Sequence, residues 1–177
     1  ASDVYKRQEL TEYFLSKIKL SPNGKKIYST VTSQLALDQA KESLERAKLG
    51  RRLSSLDGVP ISWKDLFDVK GYPCEAGSDL LAGRHADKNC EVYNFAEAHG
   101  LICLGKTQMS ELAFSGLGLN PMRETPPCVN YSECVPGGSS SGAATSVSFG
   151  LAAAGIGSDT GGSVRIPAAW NDLVGLK

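Results

Sequence analysis

The longest uncharged stretch of this chain, Cys134 to Ser158, sets the tightest limit on what it can fold into. It could span a bilayer on length alone. Yet Gly137, Gly138, Ser139, Ser140, Ser141 and Gly142 crowd its start, and Thr145, Ser146 and Ser148 follow. A spanning helix needs predominantly apolar residues, so the membrane reading fails. The stretch reads instead as a glycine–serine turn leading into a helix of small residues over Gly142 to Ala154.

The surroundings of this segment alternate between strand and helix patterns. Helices are predicted over Glu9 to Leu20, with Leu10, Tyr13, Phe14 and Ile18 at helical spacing, and over Ser33 to Leu49, with Leu35, Leu37, Ala40, Leu44 and Ala47 along one side. The apolar run Val59 to Trp63 predicts a buried strand carrying Lys64 at its end. Glu91 to His99 reads as helix, Leu101 to Leu104 as strand and Ser110 to Phe114 as a short helix. Short strands are predicted at Ile156–Gly157 and Leu173–Leu176. This order indicates an α/β domain.

The 177 residues suffice for one domain with a real core. Lys plus Arg equals Asp plus Glu at 19 each, so the basic excess of a nucleic-acid-binding domain is missing. Cys74, Cys90, Cys103, Cys128 and Cys134 form an odd set without a C-x-x-C pair, which fits small buried hydrophobes in a reducing cytoplasm. Residues 1–8 read as a non-native tail, 9–50 as N-terminal helices, and 51–177 as the first part of a catalytic domain whose remainder is absent. The isolated piece is expected to be unstable and inactive.

Three motif matches fail on physical grounds. Gly100 to Thr107 satisfies the phosphate-loop string, but its variable residues, Leu101-Ile102-Cys103-Leu104, make a core strand rather than an open turn. Gly138-Ser139-Ser140-Ser141-Gly142 matches the nucleophile elbow, yet it leaves a loop rather than a strand, and the only histidines, His85 and His99, lie upstream. Asp159-Thr160-Gly161 lacks the second copy and the all-β scaffold of aspartic proteases. Neither histidine sits in a metal-binding spacing, and no metal is expected.

Two glycine–serine clusters remain, Pro136 to Gly142 and Gly157 to Ser163. A hydrolytic nucleophile needs an exposed hydroxyl, converging N–H groups for the oxyanion and a base. Thr160-Gly161-Gly162-Ser163 can supply the first two, because glycines let consecutive N–H groups converge. With no usable histidine, a lysine can serve as the base if it is neutral. Its pKa must fall from about 10.4 toward neutrality, as desolvation can achieve. Lys64 and Lys106 both follow strands, and residue chemistry alone does not separate them.

Several linked motifs resemble the amidase signature family. They are Asp57 to Asp65, Gly105 to Leu112, the Gly/Ser cluster, Gly157 to Ala169 and Val174 to Lys177. The resemblance implies an α/β/α fold with a mixed central sheet, incomplete in this chain. It implies a triad of Lys64 as base, Ser139 in a cis peptide as proton bridge and Ser163 as nucleophile. It further implies oxyanion N–H groups at Thr160, Gly161, Gly162 and Ser163, and Ala113 at the acyl pocket. Asp159 and Arg165 are expected to pair beside the nucleophile, the rival being that Arg165 meets a substrate carboxylate. Ser140 is expected to hydrogen-bond locally, and Lys106 resembles a structural lysine.

The implied reaction is amide hydrolysis through an acyl-enzyme, with no cofactor. The expected partner is a small amide substrate, with room for a homo-oligomer and none for nucleic acid or membrane. The alternatives are the A subunit of a tRNA-dependent amidotransferase and an inactive binding relative. Ala113 to Asn120 is more similar to free-standing amidases than to that subunit. Departures from the family pattern fall at Ser141, Ala143, Pro126 to Asn130 and Trp170-Asn171-Asp172.

Overall fold

The computed structural model describes residues 6–177. Helices α1 (Lys6–Leu20), α2 (Gly24–Ile27), α3 (Ser33–Lys48), α4 (Glu91–Ala98), α5 (Ser141–Ser148) and α6 (Arg165–Trp170) flank four strands. These are β1 (Tyr28–Val31), β2 (Pro60–Lys64), β3 (Ile102–Thr107) and β4 (Ala154–Ile156), in the order β1-β3-β2-β4. β2 runs parallel to β3 and β4, and β1 is antiparallel to β3, so the sheet is mixed as expected.

Alternation along β2 positions the site. Ile61 and Trp63 join Val69, Tyr93 and Cys103 in an apolar cluster on the α4 side of the sheet. Ser62 and Lys64 fall on the opposite face, toward α5, where Ser62 Oγ lies 2.7 Å from Ser146 Oγ. A second cluster joins Phe14, Ile18, Ile27, Tyr28, Ala36, Ala40, Ile102 and Leu104. The small residues bring α5 against the sheet: a Cβ at Gly142 would lie 2.6 Å from the Gln108 nitrogen, and one at Gly155 2.5 Å from the Ala143 oxygen.

Several element readings need correction. The segment read as a tail lies outside the described residues except for Lys6 to Gln8, which form the first turn of α1. Tyr13 is exposed, and α1 buries Phe14 and Ile18. The buried face of α3 is Ala36, Ala40, Ser43 and Leu44, so Leu35 and Leu37 flank it. Helix α5 stops at Ser148 and Gly150 turns at φ +65°, which frees Ala154 to Ile156 to extend as β4. Leu173 to Leu176 forms no strand, with Val174 and Leu176 largely exposed. Ser110 to Phe114 makes only a 3-10 turn, Glu111–Ala113. The five cysteines are free; Cys74, Cys103 and Cys128 are buried, but Cys90 is half-buried and Cys134 exposed.

Candidate active site

Lys64 closes β2 with no exposed surface, and its ammonium nitrogen lies 2.6 Å from Ser139 Oγ and 2.7 Å from Ser158 Oγ. Burial pushes its pKa from 10.5 down to about 8, against the opposing pull of the Asp159 carboxylate. Lys106 is equally buried, but it donates to Asp65 Oδ1 at 2.9 Å and to the Pro73 carbonyl at 3.1 Å. That ion pair separates the two lysines. Lys106 compensates a buried carboxylate, whereas Lys64 meets two hydroxyls.

Ser139 follows a cis Gly138–Ser139 peptide and is fully buried. Its carbonyl accepts from the Ser110 N–H at 3.1 Å. The next residue, Ser140, donates its N–H to the Ser163 carbonyl at 3.1 Å, while its hydroxyl lies 3.3 Å from both the Ser158 carbonyl and the Ser158 nitrogen. Ser140 thus stitches the two glycine–serine clusters together. Ser163 is half-buried, and its hydroxyl makes no hydrogen bond among the described residues. The side-chain hydrogen bonding therefore joins Lys64 to Ser139 and stops there; Ser163 is tied to this segment only by the main-chain bond from Ser140.

Asp159 organises the turn that presents Ser163. Its carboxylate accepts from the N–H groups of Gly162 at 2.9 Å, Val164 at 3.1 Å and Arg165 at 3.3 Å. It also takes the Arg165 guanidinium through Nε at 3.0 Å and Nη2 at 2.9 Å, and these donors hold its pKa well below the usual carboxylate range. The expected pairing is present. It also takes up the Gly162 N–H, one of the four expected to face an oxyanion. Gly162 stands at φ +130°, where a Cβ would come within 2.8 Å of Ile166 Cδ1.

Ala113 sits half-buried at φ +60° in the 3-10 turn, donating its N–H to the Ser110 carbonyl at 3.0 Å. The two divergent segments prove to be joined. Asn171, buried at the end of α6, accepts from the Val129 N–H at 3.0 Å and donates to the carbonyls of Pro136 at 2.7 Å and Pro167 at 2.8 Å. Sequence reasoning assigned no role to Ser158, Ser110 or Asn171. Ser158 lies in the second glycine–serine cluster, but its approach to Lys64 depends on β4 pairing with β2. A cavity of about 260 Å³ opens between α5, β4 and α6, but Lys64, Ser139 and Ser163 do not line it. Among the described residues no cluster of His, Cys, Asp or Glu could hold a metal ion, and no helix is long and apolar enough to cross a membrane.

The mixed sheet thus ends in a buried lysine faced by serines from two glycine-rich turns. The amidase family profile matches residues 9–177, and the chain belongs to that family. The A subunit of glutamyl-tRNA(Gln) amidotransferase from Anaeromyxobacter dehalogenans is 38% identical, the match covering 100% of this chain and 36% of that protein. The protein of the same name from Alcanivorax borkumensis is 39% identical, covering 100% of this chain and 37% of its own length. Among solved structures, peptide amidase from Stenotrophomonas maltophilia superposes with a TM-score of 0.85 at 28% identity, covering 93% of this chain and 35% of its own. A bacterial aryl acylamidase gives 0.82 at 28% identity, covering 93% and 34%. The chain thus spans little more than a third of these relatives' length.

Proposed function

We propose that this chain carries the catalytic centre of an amide hydrolase that acts through an acyl-enzyme on Ser163. The observation that carries this reading is the buried contact of Lys64 with Ser139, in a site that lowers the lysine's pKa to about 8. Neutral Lys64 takes the Ser139 proton, and Ser139 takes that of Ser163 as its oxygen attacks the amide carbon. The free Ser163 hydroxyl rotates toward Ser139 when substrate binds; catalytic hydrogen bonds often tighten only at that stage.

The tetrahedral oxyanion is held by the unspent N–H groups of Thr160, Gly161 and Ser163, each such donor contributing about 3 kcal/mol to the transition state. Protonated Lys64 returns a proton through Ser139 to the departing amine, and water then releases the acid from Ser163. Asp159 sets the turn and occupies Arg165, which leaves Arg165 a supporting role rather than a substrate contact.

The test is labelling of the full-length product by a fluorophosphonate probe. Wild type should label at Ser163; Ser163→Ala should not, and Lys64→Ala should label at least a hundredfold more slowly. Undiminished labelling in Lys64→Ala would sink the relay, and an unlabelled wild type would favour an inactive relative. The names of the curated relatives support a second reading, an amidotransferase A subunit that releases ammonia from glutamine. Glutamine-dependent ammonia release that requires partner subunits would select it over a free-standing amidase.

A further inference from the structure

Ser139 must present its hydroxyl to Lys64 on one side and to Ser163 on the other, yet it lies between α5 and a loop with no regular structure. A small hydrogen-bonded ring grips it from outside. The Ser110 N–H donates to the Ser139 carbonyl at 3.1 Å. One residue earlier the Gly138 N–H donates to the Gly116 carbonyl at 2.8 Å, and the Gly137 N–H to the Leu117 carbonyl at 3.0 Å. The ring is closed by the Ser110 hydroxyl, which donates to the Ser115 carbonyl at 3.0 Å. That bond pins Ser115, the neighbour of the Gly116 that holds Gly138, to Ser110, which holds Ser139.

Close packing shows how tightly the ring encloses the segment. A Cβ at Gly138 would lie 2.6 Å from the Gly118 nitrogen and 2.8 Å from Ser110 Oγ. Ser110 itself is 1% exposed, while its loop is not otherwise anchored by apolar burial, since Leu112 and Phe114 point outward at 48% and 94% exposure. The loop's geometry therefore depends on hydrogen bonds, and the side-chain bond that closes it on itself comes from Ser110.

We infer that Ser110 is a positioning residue for the proton relay: its hydroxyl locks the 110–116 loop into a clamp that fixes Ser139 against Lys64. It touches neither substrate nor the reacting atoms, and its effect passes through Ser139. The inference rests on the relay reading above. Misplacement of a relay group by a fraction of an ångström to 1 Å costs about tenfold to a hundredfold in rate.

A double-mutant cycle with the fluorophosphonate labelling rate of Ser163 in the full-length product tests this. Ser110→Ala should slow labelling at least tenfold in the wild-type background, with a melting temperature that keeps the protein folded under the assay conditions. In the Ser139→Ala background the same substitution should change the rate by less than twofold, because no relay remains to be misplaced. Ser110→Thr, which keeps the hydroxyl, should recover most of the rate, and it serves as the folded comparison if Ser110→Ala is unstable. Equal losses from Ser110→Ala in both backgrounds would assign Ser110 a general structural role and overturn the inference. If Ser139→Ala itself leaves labelling unchanged, the relay reading fails, and the role of Ser110 fails with it.

Discussion

Asp159 holds Arg165 by both carboxylate oxygens, and the same oxygens accept from the N–H groups of Gly162, Val164 and Arg165. One carboxylate therefore shapes the turn before and after Ser163. It also works against the desolvation of Lys64, because its negative charge favours the protonated amine. The substitution Asp159→Asn keeps the size of the side chain and removes its charge. In that variant the acid limb of the pH–rate profile should move to lower pH than in wild type, with a slower plateau because the turn loosens. A limb that stays in place would show that the Asp159 charge does not reach Lys64.

The wild-type profile itself follows from Lys64. The base must be neutral, so the rate of Ser163 labelling should fall about tenfold per pH unit below the lysine's pKa of about 8 and level off above it. A profile flat between pH 6 and 9 would remove Lys64 as the titrating base.

The same shift has a consequence for stability, with a definite sign. A lysine whose pKa is lower in the folded chain binds its proton more weakly there. It therefore opposes folding most strongly below pH 8, and the penalty fades as pH rises toward its ordinary value of 10.5. The full penalty is about 3 kcal/mol. Relative to Lys64→Met, wild type should gain stability by about that amount between pH 8 and 10.5, measured by urea denaturation across pH. A difference independent of pH would contradict the burial of the amine.

Ser158 supplies the second hydroxyl on Lys64. In Ser158→Ala the buried amine loses a partner, which should lower stability by about 1–3 kcal/mol and slow Ser163 labelling. Ser158→Thr should retain both. Wild-type stability in Ser158→Ala, measured by denaturant titration, would mean that the contact contributes nothing.

Close approach of α5 to the sheet gives the last expectation. At Gly142 an added Cβ would meet the Gln108 nitrogen at 2.6 Å, the Gln108 oxygen at 2.7 Å and the Ile27 oxygen at 2.7 Å, all of them backbone atoms. Gly142→Ala should cost about 1–3 kcal/mol by overpacking. Gly161→Ala, with nothing within 4 Å of its Cβ, should be tolerated for folding. Equal melting temperatures for Gly142→Ala and wild type would refute the packing argument.

Local pattern was enough to make much of this chain legible. The run Pro60 to Trp63 announces a buried strand, and its alternation alone puts Lys64 on the face opposite Trp63. The uncharged segment from Cys134 onward, rich in glycine and serine, announces a turn and a close-packed helix. Other elements gave no such signal. β1 is four residues long and gains its identity from antiparallel pairing with β3. α6 carries Pro167 in its first turn, where proline is tolerated, although it looks like a breaker in a linear reading.

What the sequence alone determined is the strand that ends in a lysine and the two turns able to expose a hydroxyl, because these follow from periodicity and backbone freedom over a few neighbouring residues. Only the tertiary structure shows how differently the two buried lysines are surrounded. Asp65 neutralises Lys106 across β2 and β3, while β4 and the turn before α5 bring hydroxyls, and no carboxylate, into contact with Lys64. A proton affinity depends on the groups within a few ångströms, and those groups come from positions 75 and 94 residues away along the chain.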